Sequence, residues 1–162
     1  MDEEEVLKKA RNMVLRLLTF RARSRKEVYD YLERKGFSEN VSAAIVKEME
    51  GYGYINDEQF AEEFIVGRKL RGHGIKKVRY ELYMKGIDDQ IVDQKVNEHF
   101  DPDQDLARIK ELLEQRMARR AGIDEPEEER ERLLRREAAF LKRRGFQDNL
   151  IMKALKDLDP PG

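Results

Sequence analysis

Apolar residues recur every three or four positions along most of this chain. They fall at Leu7, Ala10, Val14, Leu17 and Leu18, at Phe60, Phe64 and Leu70, and at Leu106, Ile109, Leu113 and Met117. That spacing puts each set on one stripe of an α-helix. Alternating apolar and polar runs rich in β-branched residues, the mark of strands, are missing.

A second regularity lies over the first. The segments YLERKGFSENVSAAIVKEM, ELYMKGIDDQIVDQKVNEHF and FLKRRGFQDNLIMKALKDL share one pattern when Gly36, Gly86 and Gly145 are superposed. An apolar residue stands four before each glycine (Leu32, Leu82, Leu141) and one after it (Phe37, Ile87, Phe146). Others stand five after (Val41, Ile91, Leu150) and ten after (Val46, Val96, Leu155). Each unit reads as a helix stopped by a left-handed glycine, an apolar residue tucking back, and a second helix. Ser38, Asp88 and Asp148 are placed to cap or open that second helix.

With one further helix before each unit, the chain reads as all-α, with nine helices in three tandem three-helix repeats forming an elongated, curved array. The expected repeats are residues 1–50, 51–101 and 102–162. Ser24 followed by Glu27 is a capping box opening the second helix of repeat one, while Gly51 to Asn56 and Pro102 mark the boundaries. Repeat three carries an acidic insertion, Asp124, Glu125, Pro126, Glu127, Glu128 and Glu129. Proline and carboxylates suit a first helical turn, so this stretch is expected to start a long, solvated helix.

Composition narrows the picture. Of the 162 residues 40% are hydrophobic and 41% charged, so the core must be thin and the helical stripes narrow. The 33 basic and 34 acidic side chains nearly cancel, which argues against a strong non-specific polyanion binder. The absence of cysteine excludes disulfides and thiolate metal sites and fits a reducing compartment. The N-terminus is acidic, and no apolar run approaches the roughly 20 residues that span a bilayer. A cytoplasmic protein without membrane contact is expected.

The cations are not evenly spread. A basic corner lies between the first and second helices of each repeat. In repeat one it holds Arg16, Arg21, Arg23, Arg25 and Lys26, with no carboxylate from Arg16 through Lys26. In repeat two it holds Arg68, Lys69, Arg71, Lys76, Lys77 and Arg79, again with no acid, and in repeat three Arg116, Arg119 and Arg120. One such run is commonly a solvated corner. Three at equivalent positions would make a basic stripe, suited to an acidic protein surface or to phosphates. Gly72 and Gly74 bracket His73 in the strongest run; they could open backbone N–H groups to an anion, or simply make a helix-breaking corner. The spacing matches neither a Walker loop nor a dinucleotide fingerprint.

Catalytic chemistry is poorly supplied. Hydroxyl nucleophiles are limited to Ser24, Ser38, Ser42 and Thr19, two of them in capping positions, and His73 and His99 stand singly, without metal-site spacing. No catalytic residue, metal or cofactor is expected. The abundant surface carboxylates read as solubilising, and the tyrosines and phenylalanines read mainly as core.

From Gly53 the sequence runs GYINDEQFAEEFIVGRKLRGHGIKKVRYELYMKGID, and this stretch resembles the characteristic central segment of the RecX family of RecA regulators. The matching positions are Gly53, Tyr54, Asp57, Phe60, Ala61, Arg68, Gly72, Gly74, Arg79, Leu82, Lys85, Gly86 and Ile87. Ser24 to Leu32 and the Gly36 turn are also similar, so the resemblance covers essentially the whole chain, more weakly after Phe100. Asn56 stands where the family often has an acid, and serves equally as a helix cap. The resemblance implies three tandem three-helix repeats and a monomer lying in the groove of a RecA filament. It also implies inhibition of the recombinase's ATPase, coprotease and strand-exchange activities. The basic corners are then the expected contacts with that partner, or with single- or double-stranded DNA through helix-turn-helix-like repeats.

Overall fold

The structure, a computed structural model, describes residues 2–119 and 127–158. Among the described residues there are nine α-helices and no strand, as the periodicity predicts. In chain order they are α1 (Glu3–Leu18), α2 (Arg25–Arg34), α3 (Glu39–Gly51), α4 (Asp57–Leu70), α5 (Ile75–Met84), α6 (Asp89–His99), α7 (Pro102–Ala118), α8 (Glu127–Arg143) and α9 (Asp148–Leu158).

The helices start where a side chain can satisfy orphan N–H groups. Asp2 accepts from the Glu5 amide at 2.8 Å, Ser38 from Val41 at 3.2 Å, Asn56 from Gln59 at 3.0 Å, and Asp88 from Gln90 at 2.8 Å. Ser24 and Glu27 form the full capping box at α2. Asp101 accepts from Gln104 at the start of α7, where Pro102 occupies a first-turn position that needs no N–H.

The helices α2, α5 and α8 end alike. Gly36, Gly86 and Gly145 have φ of 92°, 74° and 93°. The following amides of Phe37, Ile87 and Phe146 donate back to Leu32, Leu82 and Leu141 at 3.1, 3.1 and 3.2 Å. This is the Schellman closure, in which the left-handed residue turns the next apolar side chain under the helix. Leu32, Leu82 and Leu141 are fully buried.

The chain packs as two compact units. The first comprises Met1–Phe64 and Leu82–Lys95, the second Ile65–Glu81 and Val96–Gly162. The core of the first gathers Ala10, Val14, Val28, Leu32, Ile45, Val46, Met49 and Ile55. That of the second gathers Ile109, Leu113, Leu141, Phe146, Leu150, Ile151 and Ala154. Burying each large aliphatic side chain contributes about 1.5–3 kcal/mol, so these narrow seams carry most of the stability.

Three sequence readings need correction. Leu70 is 77% exposed; Ala61 and Ile65, four apart, take the inward stripe of α4, and Leu70 falls on the other side of its last turn. The tyrosines are not mainly core: Tyr52, Tyr54, Tyr80 and Tyr83 are 59–66% exposed. Aliphatic side chains already fill the stripes, which leaves the phenols in water. Finally, the carboxylates are not all solvated, because Glu137 is only 1% exposed. It stands eight residues before Gly145, where Val28 and Val78 stand before Gly36 and Gly86. Asp124, Glu125 and Pro126 lie outside the described residues; α8 begins at Glu127 with three exposed glutamates.

Candidate partner-binding interface

Basic corners are part of the packing. In the first unit the N-terminus of α2 meets the glycine turn that ends α5. The Ser24 hydroxyl donates to the Lys85 carbonyl at 2.7 Å, and the aliphatic stem of Lys26 lies over Gly86 so closely that a Cβ there would come within 2.5 Å of it. The Arg25 amide donates to the Asp57 carboxylate at 2.8 Å. In the second unit the N-terminus of α5 meets the turn that ends α8 in the same way. The amides of Gly74 and Lys76 donate to the carbonyls of Arg144 and Gly145 at 2.6 and 2.9 Å. A Cβ on Gly74 would lie 2.5 Å from the Phe146 amide nitrogen, and one on Gly145 would overlap Lys77. In the second unit orphan N–H groups at one helix start thus answer orphan carbonyls at another helix end, while in the first the Ser24 hydroxyl takes the donor's place.

This settles the two readings of the Gly72–Gly74 corner. Gly72, at φ 79°, closes α4 by a Schellman turn: its amide and that of His73 donate to Lys69 and Arg68 at 2.9 and 3.0 Å. With the Gly74 and Lys76 amides also engaged, the backbone does not form an anion cradle. Both glycines serve the corner and its close approach to Gly145.

The candidate cations separate into groups. Arg21 pairs with Glu27 at 2.7 Å and Arg25 with Glu50 at 3.0 Å. Burial alone would raise the Glu27 carboxyl, but the Arg21 hydrogen bond, the Ser24 backbone amide and the Lys85 charge hold it below its usual range. Arg23 is half-buried, and desolvation, aided by Arg21, lowers its affinity for a proton. Arg68 pairs with Glu81 at 3.0 Å. Lys69 donates to the His99 carbonyl and lies 5.2 Å from the Phe100 ring centroid. Arg116 makes a two-pronged pair with buried Glu137, with its guanidinium 3.7 Å from the Phe140 centroid. Arg23, Arg68, Lys69 and Arg116 are half-buried and built into the fold, whereas Arg21 and Arg25 are exposed and pair at the surface.

Others face outward. Lys26, Arg71, Lys76, Arg79 and Arg119 are exposed, Lys76 with Asp148 3.8 Å away, while Lys77 is half-buried by its contact with Gly145. Arg120 lies outside the described residues. Tyr80 is 62% exposed immediately after Arg79.

Sequence reasoning missed a cavity of about 390 Å³ in the second unit, lined by Val66, Leu70, His73, Phe100, Asp105 and Phe146 among others. Burial pushes the Asp105 carboxyl up to about 6 despite the opposing charge of Lys69. Burial likewise lowers His73, with Lys77 adding to the effect. Among the described residues, no helix is long and apolar enough to cross a membrane.

Comparison with known proteins bears on this arrangement. Residues 10–49 match the model for the first three-helix domain of RecX, and residues 56–95 match that for the second. The regulatory protein RecX of Mycolicibacterium smegmatis is 34% identical over 142 residues, covering 87% of this chain and 74% of that protein. The chain belongs to the RecX family. The regulatory protein RecX of Amycolatopsis mediterranei is 32% identical over 155 residues, covering 95% of this chain and 85% of its own. The crystal structure of RecX from Lactobacillus salivarius superposes with a TM-score of 0.79 at 23% identity, over 96% of this chain and 98% of that one. A second RecX crystal structure gives 0.74 at 22% identity, over 97% and 78%. The likeness to these two structures concerns the fold. The two matched RecX domains contain the corners Arg21–Lys26 and Arg68–Arg79.

Proposed function

We propose that this RecX-family chain is a cytoplasmic regulator without catalytic chemistry of its own, which binds the RecA–DNA filament as a monomer. It would dock across neighbouring recombinase subunits in the filament groove and inhibit ATPase, strand exchange and coprotease activity. The three-helix repeats 1–50, 51–101 and 102–162 would be its structural units. The observation that carries this reading is that Arg71, Lys76 and Arg79 stay exposed beside a joint that fixes their backbone. Family membership supports the choice of partner, since the curated relatives carry the name regulatory protein. Of the expected contacts, Lys26, Arg71, Lys76, Lys77, Arg79 and Arg119 would meet the partner, and Arg120, outside the described residues, stays among the expected contacts. Arg23, Arg68, Lys69 and Arg116 would act chiefly by holding the corners in shape, and the exposed pairs of Arg21 and Arg25 would open to add to the contact.

The test is recombinase ATPase on single-stranded DNA titrated with the purified chain. Inhibition well below one molecule per recombinase subunit is expected, and the combined substitution Arg71→Glu, Lys76→Glu and Arg79→Glu should abolish it. No change in ATPase at any ratio would overturn the proposal.

A second reading, direct DNA binding, is favoured by one observation: Lys76, Arg79 and Tyr80 share an exposed face of α5, with a phenol able to stack beside two cations. Steep loss of DNA affinity with salt would support it. Recombinase binding that persists without DNA supports the first.

A further inference from the structure

Away from the basic corners, α8 and α9 pack together in the second unit and leave an open trough between them. Its volume is about 650 Å³. Leu134 and Ala138, four apart on α8, line one wall, and Met152 and Leu155, three apart on α9, line the other. Met152 is 65% exposed although it lies on the apolar side of the trough. The rim carries Arg135 from α8 and Lys153 and Lys156 from α9, all exposed, and among the described residues no carboxylate lines it.

The cations are not committed to structure. Among the described residues Arg135 makes no ion pair. Lys153 and Lys156 help to hold the Asp157 carboxyl low, but its close partner is Lys110, at 2.8 Å. The trough therefore offers an apolar floor and a positive border with little intramolecular compensation.

We infer that this trough is a docking site for an acidic amphipathic helix of a partner protein. Charge complementarity selects the occupant. A helix that places leucines at positions three and four apart buries them against Leu134, Ala138, Met152 and Leu155. Glutamates flanking that stripe then reach Arg135 on one side and Lys153 and Lys156 on the other. A nucleic acid would satisfy the cations but leave the apolar floor in water. The eleven residues of α9 and seventeen of α8 give walls long enough for a helix of three or four turns. The inference concerns residues outside the basic corners and does not rest on the recombinase reading.

The probe is a fluorescein-labelled synthetic peptide of about four turns, with leucines on one stripe and glutamates on its borders, titrated into the full chain and read by anisotropy. Binding is expected, with at least about tenfold loss of affinity when the glutamates become glutamines or when Arg135, Lys153 and Lys156 become glutamate. Met152→Asp should abolish binding; because Met152 is exposed, the far-ultraviolet dichroism and melting temperature of that variant should match the parent. Competition by unlabelled peptide, but not by single-stranded DNA or anionic vesicles, is the supporting pattern. Absence of binding, affinity indifferent to these substitutions, or displacement by DNA or vesicles would each overturn the inference.

Discussion

The Ser24 hydroxyl hydrogen-bonds the Lys85 carbonyl, 61 residues further along the chain, while its oxygen accepts the Glu27 amide of its own helix at 3.1 Å. One side chain thus caps α2 and fastens the corner to the Gly86 turn. Ser24→Ala removes both and leaves a part-buried carbonyl without its donor. A loss of about 2–3 kcal/mol in urea unfolding is expected, whereas Ser24→Thr, which keeps the hydroxyl, should lose under about 1 kcal/mol.

Gly36 and Gly145 have nearly the same φ, but a Cβ on Gly36 meets nothing within 4 Å and one on Gly145 overlaps Lys77. Alanine at either site bears the left-handed strain of about 1–2 kcal/mol. At Gly145 the clash with backbone adds to it, so Gly145→Ala should destabilise by at least about 2 kcal/mol more than Gly36→Ala. Equal losses in parallel denaturation curves would show that the joint is soft.

Arg116 and Glu137 form a pair in which the acid is 1% exposed and the cation partly exposed. Arg116→Ala leaves a buried carboxylate without its counter-charge and should cost about 3 kcal/mol. Arg116→Met combined with Glu137→Val restores the residue type that the other repeats place there, and should recover most of that loss. A double variant no better than the single one would refute the account.

Asp105 titrates near 6 in the folded chain, above the ordinary aspartate value, because its environment resists the charge. The folded state therefore holds a proton that the unfolded state has released, and stability falls as pH rises from about 4 to about 6. Asp105→Asn removes this dependence. It should be near neutral at about pH 3.5 and stabilising by up to about 2 kcal/mol at about pH 7.5, with partial solvent access reducing the effect. Urea midpoints at the two pH values provide the measurement.

Much of the fold could be read locally. Caps at Ser24, Ser38, Asn56 and Asp88 lie within three residues of what they bind, and the Schellman turns at Gly36, Gly86 and Gly145 advertise themselves by glycine and flanking apolar residues. The joints could not be read in this way. Ser24 with Lys85, and Gly74 with Arg144, are 61 and 70 residues apart, and the latter bond runs between main chains, where residue type leaves little trace. The available clue was the twelve-residue interval from Ser24 to Gly36, repeated from Gly74 to Gly86. Glu137 was misread because pattern reasoning sends charge to solvent, and only the proximity of Arg116 allows it inside. For the cations, sequence supplied position but not engagement: Arg71 and Lys69 look alike in the run, yet only Lys69 is tied to a carbonyl and an aromatic ring.

The clasp between Gly74 and Gly145 is made by peptide groups and by the absence of side chains. Substituting the exposed charges next to it leaves those bonds in place. Affinity for a partner can therefore change one arginine or lysine at a time while the scaffold beneath keeps its form, so recognition and architecture can evolve separately in the same dozen residues.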